Sequence, residues 1–148
     1  MLIDTIRQDL TVAMKARDAV RKRALRAAIA AVQEAQVAGP EATTLTDDEV
    51  QKVVAAQVKR RIEAAEAFDE AGRAERAADE RAEQEVLESY LPAALTEAEL
   101  VDLVEATLAV GGWTTRADMG QAMKAVNQKV AGRADGRTVA ELVKARLA

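Results

Sequence analysis

Apolar side chains recur every three or four residues along nearly the whole of this chain, and nowhere alternate over the length of a strand. That period constrains the fold more than any other feature, because it builds helices with one buried stripe and leaves nothing to pair as a sheet. Ile3, Ile6, Leu10 and Met14 form a first stripe. Leu25, Ala28, Ile29 and Val32 form a second, which Gly39-Pro40 ends. A third helix opens at Leu45-Thr46-Asp47-Asp48-Glu49-Val50, where Thr46 and Glu49 have capping-box spacing and Leu45 and Val50 are placed as a hydrophobic staple. Its stripe runs from Val50 through Val53, Val54, Gln57, Val58, Ile62 and Ala65 towards Phe68, with a break at Gly72. A fourth helix is expected from about Ala74 to Tyr90, with Ala78, Ala82, Val86 and Leu87 inward.

Leu91-Pro92 is the clearest boundary, since a residue before proline is pushed out of the α region. The start signal then recurs as Leu95-Thr96-Glu97-Ala98-Glu99-Leu100. Leu100, Leu103, Val104 and Leu108 make a fifth stripe, closed by Gly111-Gly112. Thr115 is placed to cap a sixth helix carrying Met119, Met123, Val126 and Val130, a methionine pair read as core. Gly132-Arg133-Ala134-Asp135-Gly136 then turns into a seventh with Val139, Leu142, Val143 and Leu147. The expected fold is all-α, with a four-helix N-terminal part over residues 1–91 and a small three-helix domain over 92–148. Thirty-four alanines and only two prolines agree with this reading.

The side chains exclude much chemistry. With no cysteine and no histidine there is no disulfide, thiolate nucleophile, Cys/His zinc site or imidazole base. The one serine, Ser89, stands before Tyr90-Leu91-Pro92 and outside any nucleophile-elbow motif. No phosphate-loop or dinucleotide glycine motif occurs. Glu63 and Glu66 are spaced like half of a di-iron site, but the Glu-x-x-His half is missing, so Glu63, Glu66, Asp69 and Glu70 read as a solvated face. No catalytic residue, metal or cofactor is expected. No apolar run reaches a membrane span, and Met1–Asp9 lacks a signal-peptide core, so the expectation is a soluble cytoplasmic protein.

The net charge of −4 is unevenly distributed. Residues 1–38 carry +3, residues 39–111 carry −11 and residues 112–148 carry +4. Arg21, Lys22, Arg23 and Arg26 form one basic cluster, and Lys59, Arg60 and Arg61 a second. The basic tail is the more specific signal. Gly120 sits in a helix at a cost of about 1 kcal/mol against alanine, which calls for a close helix crossing or backbone access to a partner. Lys124, Lys129, Arg133 and Arg137 surround a glycine-bounded loop that could present amides and guanidinia on one edge. The alternative is a tight turn with cations near a helix C-terminus.

The order of motifs is distinctive. Lys59-Arg60-Arg61, Glu66, Phe68 and Gly72-Arg73 are followed by Glu88, Tyr90-Leu91-Pro92, Leu95-Thr96 and Glu99-Leu100, then Asp118-Met119-Gly120, Met123, Lys129 and Gly132-Arg133-Ala134-Asp135-Gly136. In this the whole chain resembles stand-alone proteins of the GatB/YqeY-like family. The resemblance implies a helical N-terminal part and a C-terminal domain like the tail of the B subunit of glutamine-dependent tRNA amidotransferase, which helps to hold tRNA. It also implies an RNA-contact surface at Met119, Gly120, Lys129, Gly132, Arg133, Asp135 and Gly136, to which the charge pattern adds Lys124 and Arg137, with Lys59, Arg60 and Arg61 as a secondary cluster. The family label of carbon–nitrogen ligase with glutamine as amido donor finds no support in the residues, because neither a cysteine nor an amidase Ser-Ser-Lys set is present.

The leading expectation is therefore a non-catalytic RNA-binding or adaptor protein that engages tRNA, another structured RNA or a tRNA-handling enzyme. The alternatives are a protein–protein module using the acidic middle of the chain, and an accessory factor to a glutamine-dependent carbon–nitrogen ligase. With only Phe68, Tyr90 and Trp113 available for stacking, backbone and shape reading is expected over base reading.

Overall fold

The computed structural model describes residues 1–148 and is all helical, with no strand. Seven α-helices run as α1 (Leu2–Lys15), α2 (Ala19–Val37), α3 (Asp47–Glu70), α4 (Ala74–Glu88), α5 (Glu97–Gly111), α6 (Met119–Val130) and α7 (Gly136–Arg146), with a 3-10 turn at Arg116–Asp118. None is long and apolar enough to cross a membrane. Contacts group the chain into two compact units, Met1–Leu91 and Pro92–Ala148.

Local chemistry sets the helix ends. Thr46 and Thr96 each form a complete capping box: Glu49 and Glu99 donate their backbone N–H groups to the threonine hydroxyls, and their carboxylates accept the threonine N–H groups. Gly72 (φ +73°) and Gly112 (φ +67°) adopt the left-handed conformation just beyond α3 and α5. The paired bonds Gly72 N to Asp69 O and Arg73 N to Phe68 O close α3 as a Schellman turn.

In the first unit α3 and α4 form a hairpin about Gly72, and α1 and α2 pack on its proximal half. Ile6, Leu25, Val32, Val50, Val54 and Leu87 lie at the centre of this core. Backbone N–H of Leu2 donates to Asp47 Oδ1 at 2.9 Å, so the start of α3 serves the start of α1. The Tyr90 hydroxyl donates to Asp9, tying the end of the unit to α1. In the second unit Leu100, Val104, Val126, Val139 and Val143 form the core, and Trp113, Met119, Met123 and Leu142 pack against it.

Four expectations from spacing fail, the first at Ile62, which the α3 stripe would bury and which is 37% exposed. Met14 is exposed and Ala13 is buried, because α2 approaches α1 where only a methyl group fits. Likewise Ala77 is buried and Ala78 exposed on α4. On α1 either Ala13 or Met14 continues the Ile3-Ile6-Leu10 spacing, and alanine-rich α4 leaves its stripe underdetermined by tens of degrees, so the neighbouring helix settles both. Thr115 does not cap α6 directly. Asp118 Oδ2 accepts from Thr114 N, Thr115 N and Thr115 Oγ1 at 3.0, 3.0 and 3.1 Å, which tightens residues 116–118 into the 3-10 turn before α6.

Candidate nucleic-acid interface

The second unit owes its electrostatics to a segregation of charge by helix. α5 carries Glu97, Glu99, Asp102 and Glu105 and no base, whereas α6 carries Lys124 and Lys129 and no acid. The +4 of residues 112–148 is consequently not a net charge of the folded unit. Over Pro92–Ala148 seven bases balance seven acids. What the fold creates is a polarised unit, acidic along one helix and cationic along another.

α6 buries Ala122, Val126 and Val130 against the core, with Met119 and Met123 half-buried beside them. Gly120, Gln121, Lys124, Asn127, Gln128 and Lys129 are exposed. Their positions around the helix place Gly120, Lys124, Asn127 and Gln128 on one outward stripe about 100° wide, whereas exposed Lys129 stands about 180° from Gly120, off that stripe. Neither lysine is in an ion pair. The stripe therefore offers amide donors and acceptors, one uncommitted cation in Lys124 and no carboxylate, with Lys129 a second uncommitted cation on the adjoining face. Such a surface suits phosphate and sugar oxygens.

Gly120 is not at a close helix crossing. It is the second residue of α6, and a Cβ built on it would meet nothing within 4 Å. A close crossing is thereby removed, and at the second residue of α6 glycine forfeits only part of its helix-interior cost. The segment leading to it is rigidly held. The Asp118 carboxyl lies below its usual range because the backbone N–H groups of Thr115 and Thr114 donate to it. Trp113 Nε1 donates to Gln121 Oε1 at 3.1 Å, and its ring lies over Gly111, where a Cβ would fall 2.3 Å from the ring.

The remaining tail candidates divide between fold and surface. Arg133 is half-buried, and its Nε donates to Ala93 O at 2.8 Å while its own carbonyl accepts from Leu95 N at 2.8 Å. It clips the lead-in of α5 to the α6–α7 loop, a fold role that the sequence does not reveal. Glu99 lies below its usual range through the Thr96 backbone and side-chain hydrogen bonds, and the Arg133 charge acts in the same direction. Asp135 caps α7, accepting from Thr138 N at 3.0 Å and Thr138 Oγ1 at 3.1 Å. Gly132 (φ +79°) follows Ala131 (φ 49°) in a left-handed pair that ends α6. Gly136 opens α7 with open space about it, and exposed Arg137 pairs with Glu141 at 3.4 Å.

Met119 belongs to the core rather than to the outward stripe. Asn127 and Gln128 share the stripe with Lys124 but carry no charge signal in the sequence, although their spacing from it is helical. In the first unit Lys59 and Arg60 are exposed, but Arg61 folds back, with Nη1 donating to Gln57 O at 3.1 Å and Gln57 Oε1 at 2.9 Å. Three successive residues fan about 200° around a helix, so this cluster cannot form a single face. Glu63, Glu66, Asp69 and Glu70 are exposed, and Asp69 is bonded to Arg81.

The protein-family model described as Yqey-like protein matches residues 3–147. No curated protein matches the chain at a significant level.

Proposed function

Because the chain belongs to the Yqey-like protein family, we propose that it is a non-catalytic RNA-binding or adaptor protein whose C-terminal domain engages tRNA or another structured RNA, alone or with a tRNA-handling enzyme. The observation that carries this reading is the acid-free exposed surface of α6: an outward stripe with bare backbone at Gly120, unpaired Lys124 and two amide side chains, flanked on the adjoining face by unpaired Lys129. On this reading residues 1–91 and 92–148 act as separate domains, and the acidic α5 disfavours docking of RNA on its side. Phosphate and ribose contacts dominate, since the unit's one aromatic side chain, Trp113, is packed against its core.

Binding of tRNA should weaken steeply with salt, with a log–log slope of roughly −2 to −4 for three or four phosphate contacts. The variant Lys124→Glu/Lys129→Glu should lose most of the affinity and reduce the slope by roughly 1.5. Reversal at Arg133 is a poor substitute, because it would also break the clip to Ala93. A flat salt response, or equal binding by the lysine variant, would overturn the proposal. A partner that resists nuclease and is lost on charge reversal across Glu63 to Glu70 would instead place function on the acidic hairpin.

A further inference from the structure

The corner between α1 and α2 holds an unneutralised cationic pocket. A depression of about 210 Å³ is lined by Met14, Arg17, Asp18, Ala19, Lys22 and Arg26. None of the three bases is in an ion pair, although Arg23 of the same helix reaches Glu83 at 3.4 Å. The single carboxylate in the lining, Asp18, is the α2 cap and accepts from Arg21 N at 3.1 Å. The first unit has eighteen acids against fourteen bases, yet none of the other acids lines this pocket. Lys22 and Arg26 stand one turn apart, where like charges repel on an isolated helix.

Arg17 adds a second peculiarity. Its φ is +56°, at the turn where Arg17 N donates to Met14 O and Asp18 N to Ala13 O. This is the Schellman position that Gly72 fills after α3, and glycine or asparagine is its usual occupant. An arginine there is unfavourable for the backbone and places a third cation on the pocket.

We propose that this corner is a binding pocket for a phosphate group, held by Arg17, Lys22 and Arg26 through charge-assisted hydrogen bonds. The volume admits a phosphate with a small substituent. The site is in the first unit and is independent of the α6 surface, so either assignment stands without the other.

Amide chemical shifts of the full-length protein decide the matter. Inorganic phosphate and AMP are titrated at constant ionic strength against a chloride control, and a 5′-phosphorylated RNA hairpin is titrated separately. The amides around residues 17–22 should shift saturably. Lys22→Ala/Arg26→Ala should weaken the response about tenfold. Arg17→Gly should weaken it about threefold while raising the melting temperature, a combination that damage to the fold cannot produce. Lys124→Glu/Lys129→Glu should leave the response to phosphate and AMP unchanged. Saturation by phosphate or AMP would assign a free phosphate ligand. Saturation by the hairpin alone, lost in the Lys22/Arg26 variant, would assign a polynucleotide phosphate. Shifts that merely follow ionic strength, that survive the Lys22/Arg26 variant, or that fail to appear would overturn the proposal.

Discussion

Replacing Gly120 with alanine separates stability from binding at a single atom. Glycine in a helix interior is about 1 kcal/mol worse than alanine, mainly through backbone entropy. Gly120 is the second residue of α6, so only part of that difference applies. The added Cβ would meet nothing within 4 Å, and the backbone is not left-handed, so no steric cost offsets the gain. Gly120→Ala should stabilise the second unit by about 0.5 kcal/mol, a rise of roughly 2–4 °C in melting temperature for a unit of this size. Trp113 is the chain's sole tryptophan and packs on the second core, so thermal unfolding followed by its emission reports this unit selectively. If a partner meets bare backbone at this position, the same variant should bind tRNA about threefold or more weakly, a loss of at least ~0.7 kcal/mol. Destabilisation by half a kilocalorie or more would contradict the open surroundings of Gly120. Higher stability with undiminished tRNA affinity would remove Gly120 from the contact surface.

Two further outcomes test the packing. Gly111→Ala should be destabilising by about 1–3 kcal/mol, because its Cβ would fall 2.3 Å from the Trp113 ring; a denaturant titration should show the loss and the emission should shift to the red, whereas an unchanged spectrum would mean that the ring does not lie on Gly111. Tyr90 ionises well above the ordinary tyrosine range, first because burial disfavours its phenolate and then because its hydroxyl donates to Asp9. Its folded-state pKa is thus raised, so the associated stability is complete below about pH 10 and is lost as pH climbs from there towards the folded value. Ultraviolet titration of this single tyrosine should place its ionisation above that of the unfolded chain, and Tyr90→Phe should abolish that alkaline loss at a cost of about 1 kcal/mol near neutrality. Ionisation near pH 10 in the folded protein would refute the assignment.

The readings that proved legible in the sequence are those of short range. Thr46 with Glu49 and Thr96 with Glu99 close their boxes within one turn, and Gly72 and Gly112 supply left-handed residues that most side chains resist. Each depends on atoms within a few residues, so spacing alone locates it. The site was only partly legible. Gly120, Lys124 and Lys129 are outward, as a surface requires, but Met119, Arg133 and Asp135 are tied into core, clip and cap. A basic side chain reads the same in sequence whether it meets solvent or a carbonyl forty residues away.

By itself the sequence determined an all-helical chain, most of its helix boundaries and the kinds of chemistry its side chains can perform, because propensity, capping and composition act locally. Tertiary structure alone decided that Ala13 and Ala77 are buried in place of Met14 and Ala78, because the approach of a neighbouring helix chooses between adjacent positions that continue the stripe almost equally well. It also decided that a tail of net +4 becomes half of a neutral, polarised unit, through packing against the acidic α5. Charge summed along a segment takes no account of where that segment packs, and the field that a partner meets is set by the packing.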